Sequence, residues 1–243
     1  MLTSEFPSCN TCLQLNCLIN KYCSPKWKSF LAENKFFRLY SKKQTVFTEG
    51  GLISGFYFIY DGKIKVFNTG EKGKQNIIRL AASGEMPGLN SFSETKYLIS
   101  ATALEDASLC FFEKKVFIKT LRKNPEFAWQ LLDFYAHQLS NIETQHKNFN
   151  LLTAKGKIAE ALLLVKDKFG KMFVEDEYLL DVVLSRQEIA DIAGTCVAES
   201  IRTLTLLKKE QLIKINKQKI IISNHDKLQK FILEKCTEKR KTV

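Results

Sequence analysis

The spacing of apolar residues changes from a strand period to a helix period along this chain. Between Arg38 and Phe112, short apolar runs alternate with glycine turns, of which the Asp61-Gly62 pair is the sharpest. Asp-Gly between two apolar runs favours a tight hairpin, because both residues tolerate positive φ. Runs at such short and regular intervals predict an antiparallel β-roll, double-stranded and cupin-like, as the first half of an α+β protein.

One long helix is predicted after the roll. Its apolar stripe recurs at alternating steps of three and four residues, through Leu132, Tyr135, Leu139, Ile142, His146 and Phe149. This is the spacing of a two-stranded coiled coil, so we expect the helix to form a homodimer, with His146 as a hydrogen-bonded packing residue. The alternative is that the stripe packs onto the chain's own roll, as we expect of Phe127, Trp129 and Leu131.

Two short helices around a glycine are predicted nearer the C-terminus. Ser185 and Glu188 have the spacing of a capping box, which starts a helix, and Gly194 ends that helix in a left-handed conformation. The predicted buried stripe of the second helix is Val197, Ile201, Leu204 and Leu207 or Leu206. With a hairpin at 213–222, this predicts a winged helix-turn-helix whose second helix enters the DNA major groove. The alternative is an ordinary amphipathic helix pair.

The charge of this segment supports a nucleic-acid partner. Between Thr195 and Lys219, six basic residues oppose two acidic ones, a local charge of +4 that favours a phosphate backbone. The whole chain carries +11 over 243 residues, spread over both halves, so the local excess is more informative. We expect four segments: a cysteine-rich segment 1–27, a sensor roll 28–124, a dimerisation helix with hinge 125–152 and a DNA-binding domain 153–243.

Two classes of protein are not expected from this sequence. No apolar run is long enough to cross a membrane, and the first residues lack a signal-peptide pattern, so we expect a cytoplasmic protein without membrane attachment. The three histidines lie outside any catalytic motif, and the chain has no glycine-rich phosphate loop. An enzyme is therefore not expected.

Four of the seven cysteines lie close together near the start of the chain. They are Cys9, Cys12, Cys17 and Cys23, spaced C-x2-C-x4-C-x5-C. Clustered thiolates can ligate zinc or an iron–sulfur cluster. The alternatives are a thiol redox role or no chemical role, since cysteine is also a common small buried residue. An odd number of cysteines without an export signal argues against a disulfide framework.

The order of these parts resembles the CRP/FNR family of bacterial transcription regulators over nearly the whole chain. The resemblance is carried by GGLISGFYFIYDGKIKVF, KQNIIRLAASGEMPGLNSF and SRQEIADIAGTCVAESIRTL. It implies a cyclic-nucleotide-binding-type roll, a homodimer formed through the long helix, and a winged helix that reads a palindromic operator in double-stranded DNA. RNA polymerase is then an expected partner.

The effector loop departs from the cyclic-AMP-binding branch of the family. In that branch the loop continues from Gly-Glu to a second Gly-Glu and an Arg-Ser pair. Here Gly84-Glu85 is present, but Gly88 is followed by Leu89, and residues 95–101 contain no arginine. Burying a phosphodiester without a cationic partner is costly, so we do not expect cyclic AMP to bind. The alternative is that the loop from Gly84 to Phe92 only turns the chain.

The oxygen-sensing branch ligates a [4Fe-4S] cluster with three N-terminal cysteines and one from the roll. Cys17-x5-Cys23 matches the last two N-terminal ligands, and Cys110 lies where the roll cysteine is expected. The family has two residues between its first two ligands, whereas Cys12 and Cys17 enclose four, and Cys9 is a further candidate. The resemblance thus implies a cluster that responds to oxygen, redox or nitrosative stress. Metal binding by the four N-terminal cysteines alone stays open.

The recognition helix matches the family in part. The family's guanine-contacting arginine matches Arg202, whereas its cytosine-contacting glutamate falls on Ala198, one position before Glu199. The family's usual operator is therefore not carried over to this chain. The residues expected at base edges or phosphates are Arg186, Gln187, Thr195, Cys196, Val197, Glu199, Ser200, Arg202 and Lys217.

Overall fold

The computed structural model describes residues 7–89, 92–174 and 176–240. Asn90 and Ser91, in the loop expected between Gly84 and Phe92, lie outside these ranges. The fold is α+β, as predicted, with antiparallel sheets in the first half, a long helix, and helices with a small sheet in the second half. No helix in these ranges is both long and apolar enough to cross a membrane.

Contacts divide the chain into two compact units. The first comprises residues up to Asn68 together with Arg79–Ser140, and the second comprises Thr69–Ile78 together with Asn141–Val243. The division falls inside the long helix. A long helix carries its hydrogen bonds along its own axis, so it can continue from one core to the next.

The roll is built from short antiparallel strands. They are β1 (Lys35–Tyr40), β2 (Thr45–Phe47), β3 (Gly55–Asp61), β4 (Ile64–Thr69), β5 (Gln75–Ala81), β6 (Ser100–Ala103) and β7 (Ala107–Glu113). One sheet has the order β1-β7-β3 and the other the order β2-β6-β4-β5. The predicted Asp61-Gly62 hairpin is wrong as a strand pairing, because β3 and β4 lie in different sheets. Asp61 and Gly62 instead form the turn that leads from one sheet to the other, and Gly62 has φ 109°. An added Cβ there would lie 2.6 Å from the Cβ of Ala107, so only glycine fits.

Helices pack around the roll in the first unit. They are α1 (Leu18–Tyr22), α2 (Pro25–Glu33), α3 (Lys114–Lys123) and the first part of α4 (Pro125–Leu151). Ile19 of α1 and Leu31 of α2 are buried in a core with the ring of Phe117, so these two helices pack on the roll. Leu13 and Leu15, however, are exposed.

The start of α4 packs on the same core, although not with all the residues predicted. Phe127 and Leu131 are buried, as expected, but Trp129 is 64% exposed. Phe127 and Leu131 are four residues apart and share one helix face, whereas Trp129 lies about 200° around the helix from Phe127. The expectation that Trp129 packs onto the roll is therefore wrong.

The second unit combines helices with a four-stranded sheet. Its remaining elements are α5 (Ala154–Phe169), β8 (Gly170–Val174), β9 (Glu177–Leu180), α6 (Arg186–Ala193), α7 (Val197–Lys209), β10 (Ile213–Asn216), β11 (Lys219–Ile222) and α8 (His225–Arg240). The sheet has the order β10-β11-β9-β8. The predicted wing is β10 and β11, but the hairpin of β8 and β9, which extends it, was not predicted.

Candidate functional site

The helix-turn-helix begins with the predicted capping box. Ser185 Oγ accepts from the amide of Glu188 at 3.1 Å, and Glu188 Oε2 accepts from the amide of Ser185 at 2.9 Å. Gly194 ends α6 with φ 61° and ψ 34°, the left-handed conformation that the turn requires. These local interactions fix where α7 starts relative to α6.

The buried face of α7 differs from the predicted one. Its buried residues are Ser200, Thr203, Leu204 and Leu207, while Val197 is 36% exposed and Ile201 is 50% exposed. The placement of Ser200 beside the groove is therefore wrong, as is the placement of Val197 and Ile201 in the core. Because α7 packs on both α5 and α6, small side chains on this face allow the helices to approach closely.

The other expected DNA contacts lie at the surface of the second unit. Cys196, Gln187, Arg202 and Lys217 are exposed, and Arg186 and Thr195 are half-buried. Lys217 lies in the turn of the wing with φ 53°. These residues are accessible to a partner, apart from the hydroxyl of Thr195, which is buried without a hydrogen-bond partner among the described residues.

Glu199 is already engaged within α7. Its Oε1 accepts from the hydroxyl of Thr203 at 3.1 Å, and its Oε2 lies 3.4 Å from Nη2 of Arg202. The carboxylate is mostly covered, whereas the Arg202 side chain is 70% exposed. An exposed ion pair of this kind contributes at most about 1 kcal/mol, so Arg202 can leave it for a stronger partner.

Cysteines converge on one cavity in the first unit. Cys9, Cys12 and Cys17 line it together with Cys110 from β7, and the remaining wall is largely apolar, including Phe58 and Phe112. Cys23 lies outside this lining, with its Sγ 4.0 Å from Oδ1 of Asn124. In the structure, Cys110 therefore lies with Cys9, Cys12 and Cys17. The family spacing, in contrast, matches Cys17 and Cys23 as the last two N-terminal ligands.

These cysteines are free thiols in an environment that disfavours charge. Burial raises the pKa of Cys17 to about 11 and that of Cys110 to about 12, and it also raises the pKa of Cys9. Lys35, which lines the same cavity, lowers the pKa of Cys9 and of Cys110 in part. The thiols of Cys9, Cys17 and Cys110 are therefore neutral near pH 7 unless a metal displaces their protons.

The four thiols of this cavity are donors of the kind that ligate iron–sulfur clusters. Within the described ranges, no three His, Cys, Asp or Glu side chains are grouped so as to hold one metal ion. A [4Fe-4S] cluster binds each of four thiolates through a different iron, so its ligands surround a cavity instead of meeting at a point. Cys9, Cys12, Cys17 and Cys110 line one largely apolar cavity and supply four thiols.

The cysteine segment contacts the loop that follows β5. Gly84 has φ 91°, and an added Cβ would lie 2.8 Å from the backbone carbonyl carbon of Asn16. The side-chain amide of Gln14 also donates to the carbonyl of Tyr60 at 3.0 Å. In the same loop, Glu85 accepts from the amide of Ala82 at 3.0 Å, and Gly88 is buried. The expected effector loop therefore supports the segment that carries Cys17.

An arginine whose guanidinium is buried beside this loop was not predicted. Arg79 on β5 donates from Nη2 to the carbonyl of Met86 at 2.9 Å and also to the carbonyl of Pro87. Its Nη1 has no partner among the described residues. Burial lowers the pKa of Arg79 to about 10, partly offset by Glu85. The roll therefore contains a buried cation, which comes from strand β5 and not from residues 95–101. In the sequence, the position of Arg79 within the apolar run IIRLAA was the signal that its side chain could be buried.

The predicted dimer seam runs along α4. Leu132 is 60% exposed, Leu139 is 59% exposed and Ile142 is 39% exposed in the single chain. Tyr135 and Phe149 are half-buried, and the exposed ring of His146 lies 3.3 Å from the side-chain nitrogen of Asn150. The seam therefore offers a row of large apolar side chains, two of them more than half exposed.

Both halves of the chain match known families. Residues 37–124 match the cyclic nucleotide-binding domain, and residues 156–231 match the Crp-like helix-turn-helix domain. The transcriptional activator protein FnrL of Cereibacter sphaeroides is 23% identical over 210 residues, covering 85% of this chain and 84% of that protein. The anaerobic regulatory protein of Bacillus subtilis is 26% identical over 194 residues, covering 79% and 81%.

The solved structures agree on the fold. FixK2 from Bradyrhizobium japonicum superposes with a TM-score of 0.69 at 20% identity, covering 81% of this chain and 96% of that one. With a cyclic-nucleotide-binding-type domain followed by a Crp-like helix-turn-helix, the chain belongs to the CRP/FNR family of DNA-binding transcription regulators.

Proposed function

We propose that this regulator acts as a homodimer and that its roll reports oxygen, redox or nitrosative conditions through an iron–sulfur cluster. The observation that carries the proposal is the grouping of Cys9, Cys12 and Cys17 with Cys110 around one cavity. The curated name of the Bacillus subtilis relative, an anaerobic regulatory protein, supports an oxygen-linked signal.

The proposed cluster ligands are the four cysteines of this cavity. Cys9-x2-Cys12 has the two-residue gap of the family's first two ligands, and only the next gap departs, with four residues before Cys17 instead of five. When bound, a [4Fe-4S] cluster supplies a redox-active centre that oxygen or nitric oxide can alter. The protein contributes the thiolates, an apolar wall that limits water, and the positive charge of Lys35 beside the anionic ligands.

The cluster is tested by anaerobic purification, with iron and sulfide analysis and a visible absorption spectrum. We expect a coloured protein with about four irons and four sulfides per chain. Cys110→Ser and Cys17→Ser should lose most of the colour. Cys23→Ser is the matched control, since Cys23 is a buried thiol of the same segment outside the cavity, and it should retain the cluster. Colourless, iron-free wild-type protein under these conditions would remove the proposal.

The DNA-reading surface is proposed to centre on Arg202. Its exposed guanidinium has the fork geometry that contacts O6 and N7 of guanine together. Arg186, Gln187 and Lys217 are proposed to contact phosphates, together with Thr195 and Cys196, which precede α7, and Val197, its first residue. Arg202→Ala should weaken specific binding by about 1–3 kcal/mol and leave nonspecific binding in place. Lys217→Ala should instead weaken binding to all sequences alike; an equal loss for Arg202→Ala would contradict its base-reading role.

The remaining parts of the proposal follow from the family. A homodimer formed through α4 would present two copies of α7 to a palindromic operator, and RNA polymerase is the expected partner at the promoter. Cyclic AMP is not proposed as the effector.

The alternative function is a sensor of the same fold that does not bind DNA. Gel shifts with a promoter library at increasing salt separate the two, because DNA contacts weaken steeply as salt is added.

A further inference from the structure

The exposed face of the recognition helix is apolar at its start. Val197 is 36% exposed and Ile201 is 50% exposed, and Ala198 lies beside them at the surface. At about 100° per residue, Val197, Ile201, Ala198 and Arg202 fall within one arc of about 140°, and the buried residues fall in a separate arc. The apolar side chains and Arg202 therefore share one surface.

This surface has no free hydrogen-bonding side chain between Val197 and Ile201. Glu199 lies outside the arc, and its carboxylate is engaged by Thr203 and Arg202. Thr205, one turn after Ile201, already donates its hydroxyl to the carbonyl of Ile201 at 2.9 Å. Arg202 is thus the polar group on this face best placed to read a base by hydrogen bonding.

The surroundings of this apolar surface identify DNA as its occupant. Exposed basic residues continue along the same helix at Lys208 and Lys209, and the wing adds Lys217. A helix of this kind enters the major groove with its N-terminal residues at the base edges, while basic residues contact the backbone. Val197, Ala198 and Ile201 occupy that N-terminal part of α7.

We propose that Val197 and Ile201 read the 5-methyl groups of thymine, so that each half-site carries selected thymines next to the guanine contacted by Arg202. The inference rests on the DNA-reading role proposed above. The thymine methyl is the apolar group that standard base pairs offer in the major groove. Cytosine or guanine at the same positions would place polar edge groups against Val197 or Ile201 without hydrogen-bond partners, and such desolvation is unfavourable.

The test replaces thymine by deoxyuridine, which lacks only the methyl group. An operator is first selected from a duplex library with a randomised core, using the full-length protein as purified anaerobically. Affinity is then measured for that operator with each thymine replaced in turn, in both half-sites at once. We expect a loss of about four- to fifteenfold at one or two positions, the upper figure being that for full burial of one methyl in each half-site.

The assignment to individual residues uses double substitutions of protein and DNA. Val197→Ala should abolish the difference between thymine and deoxyuridine at one position, and Ile201→Ala at another, while Arg202→Ala should leave both differences in place. Leu233→Ala is the matched control, since Leu233 is a 66% exposed leucine on α8 of the same unit, and it should change nothing. Alanine favours helix at both positions, so the variants should fold, which a thermal melt verifies.

The outcomes separate this inference from the function on which it rests. If no sequence is enriched from the library, the DNA-reading role fails and the inference fails with it. If an operator is enriched but binds equally well with thymine or deoxyuridine, the inference is overturned and the DNA-reading role stands. The inference is also overturned if Val197→Ala and Ile201→Ala alter the sedimentation of the protein and not its DNA affinity, because the face then binds another copy.

Discussion

Gly84 lies where the loop after β5 meets the cysteine segment, and it has no room for a side chain. An added Cβ would lie 2.8 Å from the backbone of Asn16, and the φ of 91° is one that other residues rarely adopt. Because Asn16 precedes Cys17, the absence of a side chain at position 84 determines how closely a proposed cluster ligand approaches the roll.

Gly84→Ala should therefore lower the free energy of unfolding by about 2–3 kcal/mol and reduce the iron content of the anaerobically purified protein. Gly50→Ala is the control, since Gly50 has φ 79° but nothing within 4 Å of an added Cβ. It should cost about 1 kcal/mol, from backbone strain alone, and keep the iron. Equal effects of the two substitutions in denaturant titrations and iron assays would contradict the role given to Asn16.

The elements of the second unit start and end where local interactions place them. The capping box at Ser185 and the left-handed Gly194 delimit α6, and the chain continues into α7 after only Thr195 and Cys196. The element that could not be predicted is the β8–β9 hairpin. Its strands have five and four residues, and β9 is held in the sheet by pairing with β11, about forty residues later.

Ser185→Ala should lower the free energy of unfolding by about 1 kcal/mol, because the amide of Glu188 loses its acceptor. Ser185→Gly should cost only a few tenths of that, since glycine leaves the helix terminus open to water. Urea titrations of the two variants and the wild type measure this difference. If alanine and glycine behave alike, the capping box does not stabilise α6 in the way described.

At the scale of the whole molecule, the proposed dimer depends on α4. Leu132 and Leu139 are large apolar side chains, each more than half exposed in the single chain, and they belong to a seam that repeats at steps of three and four. Such a row is stabilised when a second copy covers it. Two linked copies of α7 would then bind the two halves of a palindrome with a high effective concentration.

Leu139→Glu should convert the protein to a monomer in sedimentation experiments and weaken its binding to a palindromic operator by more than about tenfold. Leu151→Glu is the control, because it adds the same charge to the same helix at a 43% exposed position away from the seam, and it should remain a dimer. A dimeric Leu139→Glu protein would place the interface elsewhere.

Features that depend on neighbouring residues could be predicted from the sequence. The turn at Asp61-Gly62, the start of α6 at Ser185, the turn at Gly194 and the long helix were predicted, because capping, positive φ and helical periodicity act over a few residues. The pairing of β3 with β4 across that turn was not correct, since the two strands enter different sheets. The order of roll, helix and winged helix-turn-helix followed from the same patterns.

Which residues from distant segments share a site depends instead on tertiary packing. Periodicity favoured Val197 and Ile201 as core residues, but packing against α5 and α6 buries Ser200 and Thr203 instead. Spacing alone also could not choose among the N-terminal cysteines, since their grouping with Cys110 depends on contact between segments about a hundred residues apart. Packing between distant segments is set by the shape of the whole core, and no short stretch of sequence contains that information.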